Sequence, residues 1–131
     1  MKDDELIRKA SEVQTTAVAS YSHFNVGAAL RTKSGKIYTG INIESSSYSL
    51  TICAERVALF KALSEGEREF DSIAIVTDSV ELCPPCGACR QVLWDFAPDI
   101  KVILANRHGK TKEYLLRNLF PAAFDQNYLQ V

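Results

Sequence analysis

Residues 72–106, SIAIVTDSVELCPPCGACRQVLWDFAPDIKVILAN, decide the fold. SIAIVT (72–77) and KVILAN (101–106) are short, continuous apolar runs, the pattern of strands covered on both faces. Between them, GACRQVLWDF (87–96) puts Cys89, Val92, Leu93 and Phe96 on one helical stripe. Strand, helix, strand in that order implies a right-handed crossover between parallel strands.

Working outward, the chain from Cys53 to Leu63 is apolar on almost every side and reads as a helix buried in the core, with Gly66 as its stop. Before it, VGAALRT (26–32) and KIYTGINIE (36–44) flank the turn signal KSGK, which predicts a hairpin. Alternation places Ile37, Ile41 and Ile43 on one face of the second strand, and Asn42 with Glu44 on the other. Leu6, Ile7, Ala10, Val13 and Ala17 recur at helical spacing, so a helix is expected over residues ~4–19, with Asp3 or Asp4 as its cap. A last strand near KTKEYL and a helical turn at 115–119 complete the order α-β-β-α-β-α-β-β-α. Two parallel crossovers in its middle imply an α/β fold, a three-layer α-β-α sandwich around a mixed five-stranded sheet.

The chain has 131 residues, 47% of them hydrophobic and 24% charged, with a net charge of −1. That predicts one domain, residues 1–131, with an ordinary soluble composition. No Lys/Arg cluster supplies the basic face that a polynucleotide binder needs. MKDDELIRK is too charged for a signal peptide, and no apolar run approaches ~18 residues, so neither a secreted nor a membrane protein is expected. The expected location is cytoplasmic.

Cytosolic thiols stay reduced, so Cys53, Cys83, Cys86 and Cys89 are poor candidates for two disulfides. Three of them crowd into CPPCGAC, a spacing closer to a metal site. In α/β sheets, ligands gather beyond the carboxyl ends of strands, where helices begin. Cys53 and the Cys86/Cys89 pair stand at such positions and should meet. Three thiolates and one open position is the layout of catalytic zinc. Cys83, separated from Cys86 by two prolines, is placed outside that set; were it a fourth ligand, the site would be closed and structural. Glu55, two residues after Cys53, reads either as a first-turn glutamate favoured by the helix dipole or as a general acid/base beside the metal. Arg56 and Arg90 are either surface arginines or donors to the ligand sulfurs that offset their charge.

CAE (53–55) and PCGAC (85–89) are together similar to the Cys/His-x-Glu…Pro-Cys-x-x-Cys signature of zinc-dependent base deaminases. Beyond the signature, YSHFNVGAAL, GINIESSSYS, CAERVALFKALSEGE, PPCGACRQVL and LFPAAF resemble, in order, the segments of the small homotetrameric cytidine deaminases. The resemblance implies hydrolytic deamination of cytidine and 2′-deoxycytidine to uridine and 2′-deoxyuridine, with release of ammonia, in pyrimidine salvage. It implies one Zn2+ per subunit on Cys53, Cys86 and Cys89, with activated water attacking C4 while Glu55 protonates N3 and then the departing amine. Phe24 would pack against the base, and Asn42 with Glu44 would bind the ribose hydroxyl. The backbone of Ala54 and the carbonyl preceding Pro85 would contact the base, and Tyr48 and Phe124 would complete a neighbouring subunit's site in a homotetramer. The expected partner is a small nucleoside, not a nucleic acid or a membrane.

One departure is Ser45-Ser46-Ser47-Tyr48, where the family has a stretch of the type Asn-Ala-Ala-Tyr; it bears on the choice of nucleoside. The alternatives are a blasticidin-S-type deaminase acting on a modified cytosine nucleoside, a structural zinc module with Cys83 as fourth ligand, and a redox dithiol at Cys86/Cys89. The last two leave Glu55 without a role. His23 and His108 are not needed as ligands, His108 reads as a turn residue, and Trp94 reads as packing on its helix.

Overall fold

A computed structural model describes residues 2–129. The sheet is built from β1 (Val26–Thr32), β2 (Ile37–Ile41), β3 (Phe70–Thr77), β4 (Lys101–Asn106) and β5 (Thr111–Leu115) in the spatial order β2-β1-β3-β4-β5. Helix α1 (Lys2–Gln14) covers one face, and α2 (Ala54–Ser64) with α3 (Gly87–Phe96) and the short α4 (Leu116–Leu119) cover the other. This is the expected three-layer sandwich with a mixed five-stranded sheet.

Period-two alternation splits the core into two. Leu30, Ile73, Ile75, Val102 and Leu104 face α2 and α3, together with Leu59 and Leu93. Their neighbours Ala29, Ala74, Val76, Ile103 and Ala105 face α1, where Leu6 and Ala10 meet them. Strands sandwiched this way have no polar face, which is why SIAIVT and KVILAN read as unbroken apolar runs.

Both parallel crossovers are present: β3-α3-β4 joins neighbouring strands, and β2-α2-β3 joins two that run the same way with β1 between them, antiparallel to both. Three expectations are corrected. Helix α1 stops at Gln14 instead of continuing to ~19, because Val18 exchanges backbone hydrogen bonds with Asn42 and Glu44, extending the sheet edge. Asp3 lies within α1 and does not cap it; its carboxylate receives Arg31 Nη2 at 3.0 Å and Lys101 Nζ at 2.8 Å, tying the helix to the sheet. Phe96 also leaves the expected stripe and is 47% exposed, since α3 ends there and turns away from the core.

The start of α2 is set by Gly40 on β2. A Cβ at Gly40 would lie 2.4 Å from the Ala54 carbonyl oxygen and 2.5 Å from the Ala58 nitrogen, so only glycine lets the helix rest there. Overpacking of this kind costs about 1–3 kcal/mol. Gly40→Ala is therefore expected to lower stability by that amount and to displace the first turn of α2. Denaturant titration checks the first part; an unchanged midpoint would show that the helix yields freely.

Candidate active site

Cys53 is the N-cap of α2 and Cys86 the N-cap of α3, both with extended backbone and neither side chain spent on capping. Their thiols are left free to point at each other, with the sulfurs 3.7 Å apart. Cys89, one turn into α3, is fully buried. The three sulfurs all lie within 4.8 Å of one another. Cys83 is outside this group; it lies half-buried on the wall beside it, its Sγ 3.7 Å from the Pro84 carbonyl oxygen.

The electrostatics of the three thiols ask for a cation. The Cys53 thiol is lowered to about 5, chiefly by the hydrogen bond it accepts from Cys89 and secondarily by Arg56. Cys89 is pushed the opposite way, because its proton is held in that bond and its surroundings are buried. One negative charge is thus shared where three thiolates would repel. A dication among three sulfurs at two helix N-termini removes that conflict, and soft thiolates suit zinc.

Glu55 sits in the first turn of α2, 5% exposed. Burial raises its carboxyl to about 7, and the Cys53 charge adds to the shift. Arg56 Nη2 lies 3.5 Å from Cys53 Sγ, the expected place for a counter-charge. Arg90 does not reach the sulfurs; it donates to the carbonyls of Pro85 and Leu119, bracing the loop before α3 against the C-terminal segment.

A cavity of about 240 Å3 opens over these groups, lined by Phe24, Asn42, Glu44, Ala54, Glu55, Cys53 and Cys86 among others. Ser22, through its hydroxyl and amide, and the Tyr21 amide hold the Glu44 carboxyl below its ordinary range, so it stands ionised at the rim. Asn42 receives the Val26 amide at 2.9 Å and donates to the Phe24 carbonyl at 2.8 Å. The serine run forms the turn after Glu44, with Ser45 donating its amide to Thr51 and accepting from the Ser47 amide.

Tyr48, 72% exposed, borders an adjoining recess with Tyr21, their rings edge-on at 5.6 Å. Phe124 lies away from the cavity, 54% exposed and stacked on Tyr128. Trp94 does more than pack: its Nε1 donates to Asp125 at 3.1 Å, and its ring meets Phe120 edge-on. His108 lies in the turn between β4 and β5. Gly40 was not legible as a site residue, because a glycine's role in close approach shows only once the helix is docked above it.

The family model for the cytidine and deoxycytidylate deaminase zinc-binding region matches residues 1–105, a span that includes all three clustered cysteines and Glu55. The chain belongs to this family of deaminases. A cytidine deaminase of Halalkalibacterium halodurans is 50% identical over 120 residues, 91% of each chain. The crystal structure of cytidine deaminase from Burkholderia pseudomallei matches with a TM-score of 0.92 at 44% identity, covering 95% of this chain and 100% of that one. A blasticidin-S deaminase of Bacillus cereus is more distant, at 34% identity over 134 residues, 96% of this chain and 94% of its own. A structural zinc module or a redox dithiol would leave the buried carboxylate beside the thiols without a role.

Proposed function

We propose that this chain hydrolyses cytidine and 2′-deoxycytidine to uridine and 2′-deoxyuridine, releasing ammonia. The observation that carries this is the placement of Glu55, a buried carboxyl titrating near 7 on the same cavity as three clustered thiols. Cys53, Cys86 and Cys89 would hold zinc, which when bound would supply the Lewis acidity that makes water nucleophilic near neutral pH.

The protein's own groups do the rest. A buried carboxyl whose neutral form is favoured by desolvation can both accept and release a proton, as a shuttle must. Glu55 takes one proton from the attacking water and delivers it to N3 of the pyrimidine; it then takes the remaining proton of the hydroxyl gained at C4 and delivers it to the departing amine, so that C4 becomes a carbonyl as ammonia leaves. Ala54 and the Pro84 carbonyl offer backbone contacts to the base, Phe24 its face, and Asn42 with Glu44 the acceptors for ribose hydroxyls. The ionised Glu44 suits hydroxyl donors and repels phosphate. A cavity of about 240 Å3 is at the small end of ligand sites and fits a nucleoside better than a strand.

The reading extends to a homotetramer in which Tyr48 and Phe124 of one subunit complete the site of another. Their exposure, with that of Leu50 at 71% and Val18 and Ile43 at over 40%, supports it, since a partner subunit would cover such large apolar side chains. It extends also to cytoplasmic pyrimidine salvage, where free thiols stay reduced. Among the described residues, no helix is long and apolar enough to cross a membrane.

The test is ammonia release from cytidine, deoxycytidine, blasticidin S and free cytosine in parallel, with zinc and molar mass measured on the same sample. Turnover of both nucleosides, about one zinc per chain and a four-chain mass are expected. Full zinc without turnover of either nucleoside would overturn the assignment, and a monomer with full activity would overturn the shared site.

A further inference from the structure

Phe24 lies on a stretch, residues 21–25, that belongs to no helix or strand. A wall made of irregular chain needs something to hold it, because loops are otherwise the most mobile parts of a fold. The turn is also strained: His23 has φ +57, in the left-handed region. Such residues persist only where the surroundings over-determine them.

The N-terminal side of that turn is held by Glu44, which receives the amides of Tyr21 and Ser22. The C-terminal side is held from the opposite layer of the molecule. Gln14, the last residue of α1 and only 3% exposed, donates Nε2 to the Asn25 carbonyl oxygen at 2.9 Å and to Asp78 Oδ1 at 3.0 Å. Asp78, just beyond β3, receives the Asn25 amide on its other oxygen at 3.2 Å. The backbone of Asn25 is therefore gripped at both its amide and its carbonyl by a linked pair of side chains. Arg107 adds an exposed contact to Asp78 at 3.2 Å.

Gln14 reaches this point because β1 begins with a close approach. A Cβ at Gly27 would lie 2.0 Å from the Ala10 carbonyl oxygen and 2.9 Å from the Gln14 nitrogen, so the last turn of α1 rests directly on the strand. Both amide hydrogens of Gln14 are used, and neither it nor Asp78 lines the cavity.

We propose that Gln14 and Asp78 are positioning residues for the nucleoside, a clamp on Asn25 that fixes Phe24 against the base. This rests on the reading that Phe24 packs against the base. Loss of the clamp frees the wall without touching the thiols or Glu55, so it weakens binding more than chemistry.

The experiment measures steady-state deamination of cytidine by zinc-loaded Gln14→Leu, Asp78→Asn, Phe24→Ala and the Gln14→Leu/Phe24→Ala double variant, well below their unfolding temperatures. Leucine keeps the bulk of Gln14 and removes both donors, while Asp78→Asn, at a more accessible residue, serves if the first variant folds poorly. The expected result for each clamp variant is a KM raised about ten-fold with kcat within about three-fold of the parent and zinc content unchanged. In the Phe24→Ala background, Gln14→Leu should raise KM less than about two-fold, because the clamp acts through that ring. A lowered Tm with KM unchanged in both clamp variants would overturn the proposal, as would an equal KM effect in both backgrounds. If Phe24→Ala itself leaves KM unchanged, the reading of Phe24 fails and the clamp's role with it; if Phe24→Ala raises KM and the clamp variants do not, the clamp alone fails.

Discussion

Glu55→Gln is expected to retain zinc and fold while losing at least about 10³-fold in kcat, or about 4 kcal/mol of transition-state stabilisation. Glutamine matches the shape and can neither take nor return a proton. The same substitution has a second, opposite effect on stability. In the metal-free chain the Glu55 carboxyl holds its proton up to about 7, against 4.5 for the ordinary group. Between those values the folded state binds more protons than the unfolded state, so stability falls as pH rises from 4.5 towards 7. The loss amounts to about 3 kcal/mol at most. Glu55→Gln removes this slope, so the metal-free variant should be the more stable protein above pH 7. Urea midpoints across the pH range, with zinc stripped, measure this. Parallel pH dependence in the two proteins would mean that Glu55 is not held protonated by burial, and retained turnover would remove it as the shuttle.

Cys86→Ala is the second large effect. Cys86 is exposed at a helix start and its side chain makes no capping bond, so removing it should leave the metal-free fold almost unchanged. Partners one layer outside a metal site cost about 10–100-fold in affinity, and losing a direct ligand should cost more. Metal content after dialysis should therefore drop to a small fraction of the parent's, and turnover with it. Cys83→Ala is the matched control: its sulfur lies outside the cluster of three, so zinc should stay. Equal zinc in parent and Cys86→Ala would contradict the ligand set. Zinc lost from Cys83→Ala would restore the closed four-cysteine alternative.

The legible part of this protein consists of what neighbouring residues impose on one another. The strand-helix-strand reading of 72–106 follows from local periodicity and survives in the sheet. So does the meeting of Cys53 with Cys86 and Cys89: helices that begin beyond the carboxyl ends of strands in one sheet bring their first turns together. The alternation of Asn42 and Glu44 correctly put both on the cavity's side of the chain. The errors arose where backbone partners lie far off in sequence. Val18 leaves the helical pattern because Asn42 and Glu44 claim its amide and carbonyl. Arg90 looked like a donor to sulfur by adjacency to Cys89, yet its guanidinium turns towards two carbonyls, one of them 29 residues away.

Sequence alone thus determined the element types, the three cysteines that cluster and the carboxylate beside them, because chemistry-bearing residues at short spacing can be read without knowing their neighbours. Tertiary structure alone decided which polar groups grip the backbone at Asn25. Nothing at short spacing in the sequence marks Gln14, Asp78, Gly27 or Gly40. Their roles exist only between elements, where a missing Cβ admits a helix and a buried amide finds its acceptors across the sheet.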